Sequence, residues 1–345
     1  MIRLLLVEDS AVQREFLRFI LEDSGEFEIV ATAVDGEDAV RQAELDRPDV
    51  ILMDCHMPKL DGIGATRIIM ETCPAPIVVA SASALQGEQQ LTFDAIKNGA
   101  LAVVNKPPAF GSPEYDRIAG QLVRTLRLMS EVKVVRRWRA RSSARADRVD
   151  VVPAPPDQAV HVVALVGSTG APGVIAEILT AVGPATRAPV LIVQHMAEGF
   201  VEGFASWLAA RTGMPARMAR DGERVESGCA YLAPDNAQMG IDASGRIVLS
   251  DDADDDGFRP SGSHLLRSVA RAYGPKAMGV LLTGMGRDGV AGLLDLRQAG
   301  GVTIAQSEES CVVFGMPGEA VRLGAATHVL PPDEIARLIA ASTVT

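Results

Sequence analysis

The chain lacks any cysteine arrangement of the kind that holds zinc or a disulfide framework. Its 345 residues include four cysteines, which are scattered and belong to no Cys/His cluster: Cys55, Cys73, Cys229 and Cys311. This pattern argues against zinc-finger and disulfide-rich secreted proteins, and it predicts a reducing, cytoplasmic location.

Long apolar runs are also missing. No uninterrupted apolar stretch reaches the ~18 residues that indicate a membrane span. The first apolar run, Leu4–Val7, meets an acid at Glu8 at once, which is not the pattern of a signal peptide. We therefore expect a protein that is not embedded in a membrane.

Basic residues are outnumbered: 33 Lys and Arg face 44 Asp and Glu, so the net charge is -11. Binding to nucleic acid needs a basic surface that neutralises phosphates, so we expect no nucleic-acid partner. The hydrophobic fraction of 48% and the charged fraction of 22% are ordinary for a globular protein. The length predicts two domains.

Short apolar segments alternate with amphipathic ones in both halves of the chain. In the first half, the predicted strands are Arg3–Val7, Ile29–Ala33, Val50–Met53, Pro76–Ala80 and Ala102–Val104. In the second half, they are Val162–Val166, Pro189–Val193, Ala230–Ala233, Arg246–Ser250, Ala277–Thr283 and Val302–Ala305. Apolar strands that alternate with helices are typical of parallel sheets covered on both faces. The pattern predicts two open, doubly wound α/β domains with mainly parallel sheets.

The stretch between these patterns changes composition. It holds six arginines between positions 136 and 148 and then Val-Val-Pro-Ala-Pro-Pro, without the periodicity of a packed element. We interpret it as a solvated tether that is helical at its start, although a basic run could also contact nucleic acid or an acidic surface. The predicted organisation is a first domain at 1–124, an Arg/Pro-rich linker at 125–158 and a second domain at 159–345.

Five polar residues follow strands of the first domain. Glu8 and Asp9 follow the first strand, Asp54 the third, Ser81 the fourth and Lys106 the fifth. Because the carboxyl ends of parallel strands meet at one edge, these groups should converge there. Three converging carboxylates need a cation, and hard oxygen ligands suit Mg²⁺. The lysine and the hydroxyl could hold a phosphoryl oxygen.

Residues 1–122 resemble response-regulator receiver domains. The resemblance is carried by Leu-Val-Glu-Asp-Ser at 6–10, Met-Asp-Cys-His-Met-Pro-Lys-Leu-Asp-Gly at 53–62 and Asn-Lys-Pro at 105–107. It implies that Asp54 accepts a phosphoryl group from a sensor histidine kinase, and that Glu8 and Asp9 help to bind Mg²⁺. It also implies that Ser81 and Lys106 contact the phosphoryl group. Val103 stands where many receivers have an aromatic switch residue.

A glycine-rich turn joins the first strand of the second domain to a helix: Gly-Ser-Thr-Gly-Ala-Pro-Gly at 167–173. One interpretation is a nucleotide-binding loop, but the glycine spacing is not the dinucleotide pattern. The next strand also ends in Gln194-His195 and not in an acid. The other interpretation is nucleophilic catalysis by Ser168, which would need a nearby base.

Two later strand ends could complete such a site. His195 closes the next strand and could be the base, although a lone histidine is more often structural. Asp288 follows the strand near 280 in Gly-Met-Gly-Arg-Asp-Gly and could orient the histidine, although it could also cap the next helix. The nearby glycines would leave N–H groups free for an oxyanion.

Nearly all of 160–345 resembles the catalytic domain of protein-glutamate methylesterases. The matching segments are Gly-Ser-Thr-Gly (167–170), Gln-His-Met (194–196), Asp-Gly-Glu-Arg-Val (221–225), Tyr-Leu-Ala-Pro (231–234), Arg-Pro-Ser (259–261), Leu-Thr-Gly-Met-Gly-Arg-Asp-Gly (282–289) and Ser-Cys-Val-Val-Phe-Gly-Met-Pro (310–317). The resemblance implies that Ser168 is the nucleophile, His195 the base and Asp288 its orienting partner. Thr169 and the main chain of Met285 would lie at the reacting centre.

The implied substrates are methylated cytoplasmic helices of chemoreceptors, whose glutamates are demethylated and whose glutamines are deamidated without a cofactor. The receiver would restrain the hydrolase until Asp54 is phosphorylated. Two rivals are a phosphorylation-dependent binding module without catalysis and a hydrolase of small esters. Members commonly read Ala-Ser-Thr-Gly-Gly at the serine and have an aspartate two residues after Arg-Pro-Ser, whereas this chain has Gly167, Ala171 and Ser263.

Overall fold

The computed structural model describes residues 1–81, 93–132, 134, 158–252 and 257–343. They fall into two compact units that divide between residues 149 and 150. Most of the predicted linker, residues 133 and 135–157, lies outside the described residues. Among the helices that are described, none has the length and apolar character needed to cross a membrane.

The first unit is a parallel sheet with helices between its strands. The strands are β1 (Ile2–Val7), β2 (Phe27–Ala33), β3 (Val50–Asp54), β4 (Ile77–Ser81) and β5 (Ala102–Asn105). The helices are α1 (Ala11–Asp23), α2 (Gly36–Asp46), α3 (Gly62–Thr72) and α4 (Tyr115–Ser130), and residues 93–97 are also helical.

The strands of this sheet lie in the order β2-β1-β3-β4-β5, and all neighbours are parallel. β3 and β4 are buried along their whole length, which explains their continuous apolar sequences. β2 lies on one side of β1 and β3 lies on the other, so the direction of strand addition reverses at β1. Ligands of such sheets bind at this switch point, outside the carboxyl ends of the strands.

The second unit is a larger sheet of the same kind. Its strands are β6 (Val162–Gly167), β7 (Val190–Gln194), β8 (Ala216–Met218), β9 (Ala230–Leu232), β10 (Gln238–Ile241), β11 (Ile247–Ser250), β12 (Ala277–Leu281), β13 (Val302–Gln306) and β14 (His328–Leu330). Its α-helices are α5 (Ala171–Val182), α6 (Val201–Thr212), α7 (Gly262–Tyr273), α8 (Val290–Gln298), α9 (Met316–Arg322) and α10 (Pro332–Ser342). Two short 3₁₀ helices lie at Gly274–Lys276 and Glu308–Ser310.

Seven of these strands form a parallel sheet in the order β14-β13-β12-β6-β7-β9-β8. Its switch point lies between β6 and β12, because the chain first builds outward from β6 through β7 and later returns to the other side at β12. The carboxyl ends of these two strands lead into the segments of Ser168 and Asp288. The predicted fold class, two open α/β domains with mainly parallel sheets, is confirmed.

One predicted strand lies outside the parallel sheet. The segment predicted at Arg246–Ser250 forms β11, which pairs with β10 in a separate antiparallel hairpin. The hairpin is fastened to α7, since Ser268 Oγ accepts from Ile241 N at 2.7 Å and donates to Ile241 O at 2.9 Å. The hairpin therefore supports the helix whose first turn reaches the switch point.

Candidate active site

Ser168 lies at the end of β6, where the strand turns sharply into α5. Its main-chain N–H donates to Thr283 O at 3.1 Å, and its carbonyl accepts from Ala171 N at 3.1 Å. The turn needs glycine at 170, because φ is +79° there and a Cβ would lie 2.6 Å from the Val312 side chain. The serine is half-buried, so part of this residue remains accessible at the edge of the sheet.

His195 follows β7, the strand next to β6. Gly167 pairs with Gln194 in the register of these strands, and His195 N donates to Gly167 O at 3.0 Å. The buried Gln194 amide donates from Nε2 to Ser168 O at 2.8 Å and to His195 O at 2.9 Å. One side chain therefore fixes the main chains of both the serine and the histidine.

Asp288 is 1% exposed, and its Oδ2 lies 2.9 Å from His195 Nε2. Four further donors reach this carboxylate: Gly262 N at 2.6 Å, Gly289 N at 2.7 Å, Ser261 Oγ at 2.9 Å and Ser263 N at 3.0 Å. Burial acts to raise the pKa of Asp288, but the His195 contact and the donated N–H groups outweigh burial and lower the pKa to about 2. The carboxylate is therefore ionised wherever the enzyme is folded near neutral pH.

The first turn of α7 supplies three of those donors. Ser261 caps the helix, since its Oγ accepts from His264 N at 3.2 Å while donating to Asp288. Free N–H groups and the helix dipole favour a negative charge at this position. Gly262 must lack a Cβ, which would overlap Val166 and lie 3.3 Å from Asp288 Oδ2. Asp288 itself does not cap the following helix; Gly289 occupies that position.

The segment after β12 lies directly against the serine. A Cβ at Gly284 would be 2.7 Å from Ser168 Cβ, so the main chain that leads into the half-buried Met285 passes beside the nucleophile. Thr283 Oγ1 accepts from Val313 N at 2.9 Å and lies 3.0 Å from Thr169 O. The predicted Thr169 and Met285 are thus brought to the same place as Ser168, His195 and Asp288. A serine, an imidazole and a buried carboxylate in this order suit acyl transfer through a covalent intermediate.

The predicted phosphoacceptor residues also converge. Lys106 Nζ lies 2.7 Å from Glu8 Oε2 and 2.9 Å from Asp54 Oδ1. Carboxylate oxygens of Glu8, Asp9 and Asp54 all lie within 4.8 Å of one another. Ser81 is buried at the end of β4, and its carbonyl accepts from Lys106 N at 2.8 Å.

The charges of this second cluster depend on one another. Burial is the main cause that raises the pKa of Glu8, and the Asp54 charge adds to it while Lys106 opposes it. For Lys106, burial acts to lower the pKa, but contacts with Glu8 and Asp54 outweigh it and raise the pKa. The lysine therefore stays cationic and partly offsets the acids, while exposed Asp9 opens the cluster to solvent.

Comparison with known proteins identifies the family model that each unit matches. Residues 163–339 match the family model described as CheB methylesterase, and residues 4–112 match the response regulator receiver domain. The protein-glutamate methylesterase/protein-glutamine glutaminase of Nitrosospira multiformis is 48% identical over 97% of this chain and 95% of its own length. The chain belongs to the protein-glutamate methylesterase family. A family member from Syntrophus aciditrophicus is 44% identical over 98% of this chain and 97% of its own length.

A solved methylesterase structure resembles the second unit. The crystal structure of the Thermotoga maritima CheB methylesterase catalytic domain has a TM-score of 0.50 and 35% identity, and it covers 52% of this chain and 97% of that domain. The methylesterase fold is therefore shared.

Several polar residues of the site were not predicted from the sequence, namely Gln194, Ser261 and Thr283. All three stand inside matched segments, namely Gln-His-Met, Arg-Pro-Ser and Leu-Thr-Gly-Met-Gly-Arg-Asp-Gly, so their membership of those segments was the available signal. Ser263, noted only as a departure, accepts from Gly289 N at 2.9 Å through its Oγ and donates its own N–H to Asp288. The Ser263 hydroxyl and main-chain N–H therefore join the Asp288 loop to the first turn of α7.

Gly167 and Ala171, the two departures from the Ala-Ser-Thr-Gly-Gly pattern, lie against each other in the turn. A Cβ on Gly167 would overlap the Cβ of Ala171, so the space beside the serine holds one methyl group. Methylesterases that read Ala-Ser-Thr-Gly-Gly carry that methyl on the first residue, and this chain carries it on the fifth. The two departures therefore concern one and the same space next to Ser168.

We expect Gly167→Ala alone to destabilise the second unit by about 1–3 kcal/mol, because a second methyl overpacks the turn. The double variant Gly167→Ala/Ala171→Gly should recover most of that loss. Urea unfolding of the two single variants and the double variant gives the coupling energy directly. Strict additivity of the single effects would show that the two positions do not share one space.

Asp288→Asn should lower the free energy of unfolding by about 2 kcal/mol at pH 7. The reason is the lowered pKa: the carboxylate stabilises the fold above its unfolded pKa, and that contribution is lost as the pH falls through about 2. About half of the difference between wild type and variant should remain at pH 3.

Urea unfolding at a series of pH values from 7 to 3 measures this difference, and Ser168→Ala is the control. A gap between wild type and Asp288→Asn that stays constant across this range would show that the Asp288 charge does not stabilise the fold.

Proposed function

We propose that the second unit removes methyl esters from glutamates of chemoreceptors and deamidates their glutamines, and that phosphorylation of Asp54 controls this activity. The 2.9 Å contact between His195 Nε2 and the buried Asp288, beside Ser168, is the observation that carries the proposal. The curated relatives with matching length are named protein-glutamate methylesterase/protein-glutamine glutaminase, which supports the substrate class.

The proposed mechanism gives different tasks to the two imidazole nitrogens. Nε2 of His195 faces Asp288, so Nδ1 is the nitrogen left to accept the Ser168 proton. Ser168 Oγ attacks the ester carbonyl as Nδ1 takes its proton. Asp288 stabilises the imidazolium that forms, and it does so from a site where it is already ionised. We propose that main-chain N–H groups near Thr169 and Met285 donate to the developing oxyanion.

Collapse of the tetrahedral intermediate completes acylation. His195 returns its proton to the leaving oxygen, methanol departs, and a glutamyl ester of Ser168 remains. Water then attacks this ester, His195 takes a proton from the water, and the glutamate carboxylate is released as Ser168 regains its proton. With a glutamine substrate the same steps release ammonia in place of methanol.

The receiver family implies Mg²⁺-dependent phosphorylation and a kinase partner, here proposed to be a sensor histidine kinase. Glu8, Asp9 and Asp54 would hold the ion, since their oxygens converge within 4.8 Å and carboxylates are ligands that Mg²⁺ prefers. Bound Mg²⁺ supplies positive charge that neutralises the acids and the incoming phosphoryl group. Lys106 lies where it can bind a phosphoryl oxygen on Asp54, and we propose the Ser81 hydroxyl as a second contact.

We expect Ser168→Ala to abolish hydrolysis while the fold is kept, with a loss on the order of 10⁴–10⁶ in rate. Methanol release from methylated receptors is the measurement, and a simple methyl ester is tested in parallel. Near wild-type release by the variant would exclude Ser168 as the nucleophile. Wild-type turnover of the simple ester but not of receptors would instead indicate a small-ester hydrolase.

Asp54→Asn should block phosphorylation by acetyl phosphate in the presence of magnesium, because the amide is not a phosphoacceptor. The variant should also lose the rise in methanol release that the phosphodonor produces in wild type, roughly 5- to 150-fold. Intact mass and methanol release are measured on the same samples. Equal stimulation of wild type and variant would mean that Asp54 does not control the hydrolase.

A further inference from the structure

Phe258 stacks on the imidazole of His195. The ring centroids are 4.9 Å apart and the planes differ by 13°. Phe258 is nevertheless 42% exposed, so burial in the core does not explain its position. An aromatic ring that lies open to solvent on one side and against the predicted base on the other suggests a role at the site.

A buried amide holds this phenylalanine in place. Gln238, which is 0% exposed, donates from Nε2 to Phe258 O at 2.8 Å and accepts from Ser261 N through Oε1 at 2.8 Å. Gln238 also pairs with Ser250 at the start of the β10–β11 hairpin. The Gln238 side chain therefore ties both ends of the segment 258–261 to the hairpin.

The same segment contacts both partners of the predicted acid–base pair. Phe258 covers a face of the imidazole, and Ser261 Oγ donates to Asp288 at 2.9 Å. Asp288 contacts His195 at the Nε2 edge, and a contact at a single edge leaves a ring some freedom to tilt. A second ring stacked on the face removes that freedom.

We propose that Phe258 is a positioning residue for His195: it fixes the plane of the imidazole so that Nδ1 faces Ser168, and it stabilises the imidazolium that forms during acyl transfer. The second effect follows because the face of an aromatic ring attracts a cation within about 6 Å of its centroid. The inference rests on the proposed function and assigns a further residue to the same reaction.

The kinetic test uses Phe258→Leu and Phe258→Tyr in the full-length enzyme. Leucine should lower kcat for methanol release by about fivefold to tenfold, as expected for loss of an aromatic pair, and leave KM within about twofold. Tyrosine keeps the ring face and should restore kcat to within about twofold. Val248→Ala, which alters an equally exposed apolar residue of the β10–β11 hairpin, is the control and should match wild type.

Two kinetic results would overturn the proposal. A higher KM with unchanged kcat in Phe258→Leu would mean that the ring binds substrate and does not act through His195. Equal kcat values for the leucine and tyrosine variants would mean that the aromatic face has no effect.

A spectroscopic test is independent of catalysis. The ring current of Phe258 should shift the His195 ring protons upfield, and Phe258→Leu should remove this shift while the signals of the other four histidines stay in place. An unchanged His195 signal would overturn the stack itself. Lack of methanol release by wild type, with the ring-current shift present, would instead contradict the proposed function and leave the stack established.

Discussion

The arrangement of the second unit depends on the buried Asp288 carboxylate, which must have hydrogen-bond donors and a cationic or polar partner. A carboxylate that is 1% exposed and lacks partners would be neutralised or would destabilise the fold by several kcal/mol. Here the N-terminal turn of α7 donates to it from Gly262, Ser263 and Ser261, and His195 completes the set. The charge is thereby kept ionised and aimed at the imidazole. The same contacts satisfy the buried charge and orient it as the proposed mechanism requires.

That requirement explains why glycines and small residues surround the site. The turn at Ser168 brings Gly284 against the serine, and the first turn of α7 packs Gly262 against Val166. Any larger residue at 262 or 284 would push apart the loops that carry the reacting groups. The switch point of the sheet brings these loops together, because β6 and β12 are neighbours in space although about 115 residues separate them in sequence.

Much of the fold was predictable because the central strands are buried on both faces and are therefore continuously apolar. β3, β4, β6 and β7 were all predicted within about a residue or two. The hairpin β10–β11 was not predicted, since apolar content cannot distinguish a strand of the sheet from one that pairs locally.

The site was predictable only in part, for a related reason. Ser168, His195 and Asp288 follow strand ends, and Ser168 and Asp288 also stand beside glycines, so the sequence indicated them. Gln238 and Phe258 contact residues that are 20 or more positions away in the sequence. Only the fold brings these residues together, so the sequence could not indicate the contacts. Gln194 lies beside His195, but nothing in the sequence indicated that its amide would join two main chains.

The central claim is that Ser168, activated by a His195 that Asp288 orients, forms a covalent glutamyl ester. Acid quenching of the enzyme during turnover of a methylated receptor peptide, followed by digestion and mass spectrometry, tests this claim directly. The account predicts that the fragment containing Ser168 gains the mass of the glutamyl-peptide acyl group, and that brief treatment with hydroxylamine removes it. Steady methanol release with no acyl adduct on that fragment, even when the quench is fast relative to turnover, would contradict the account.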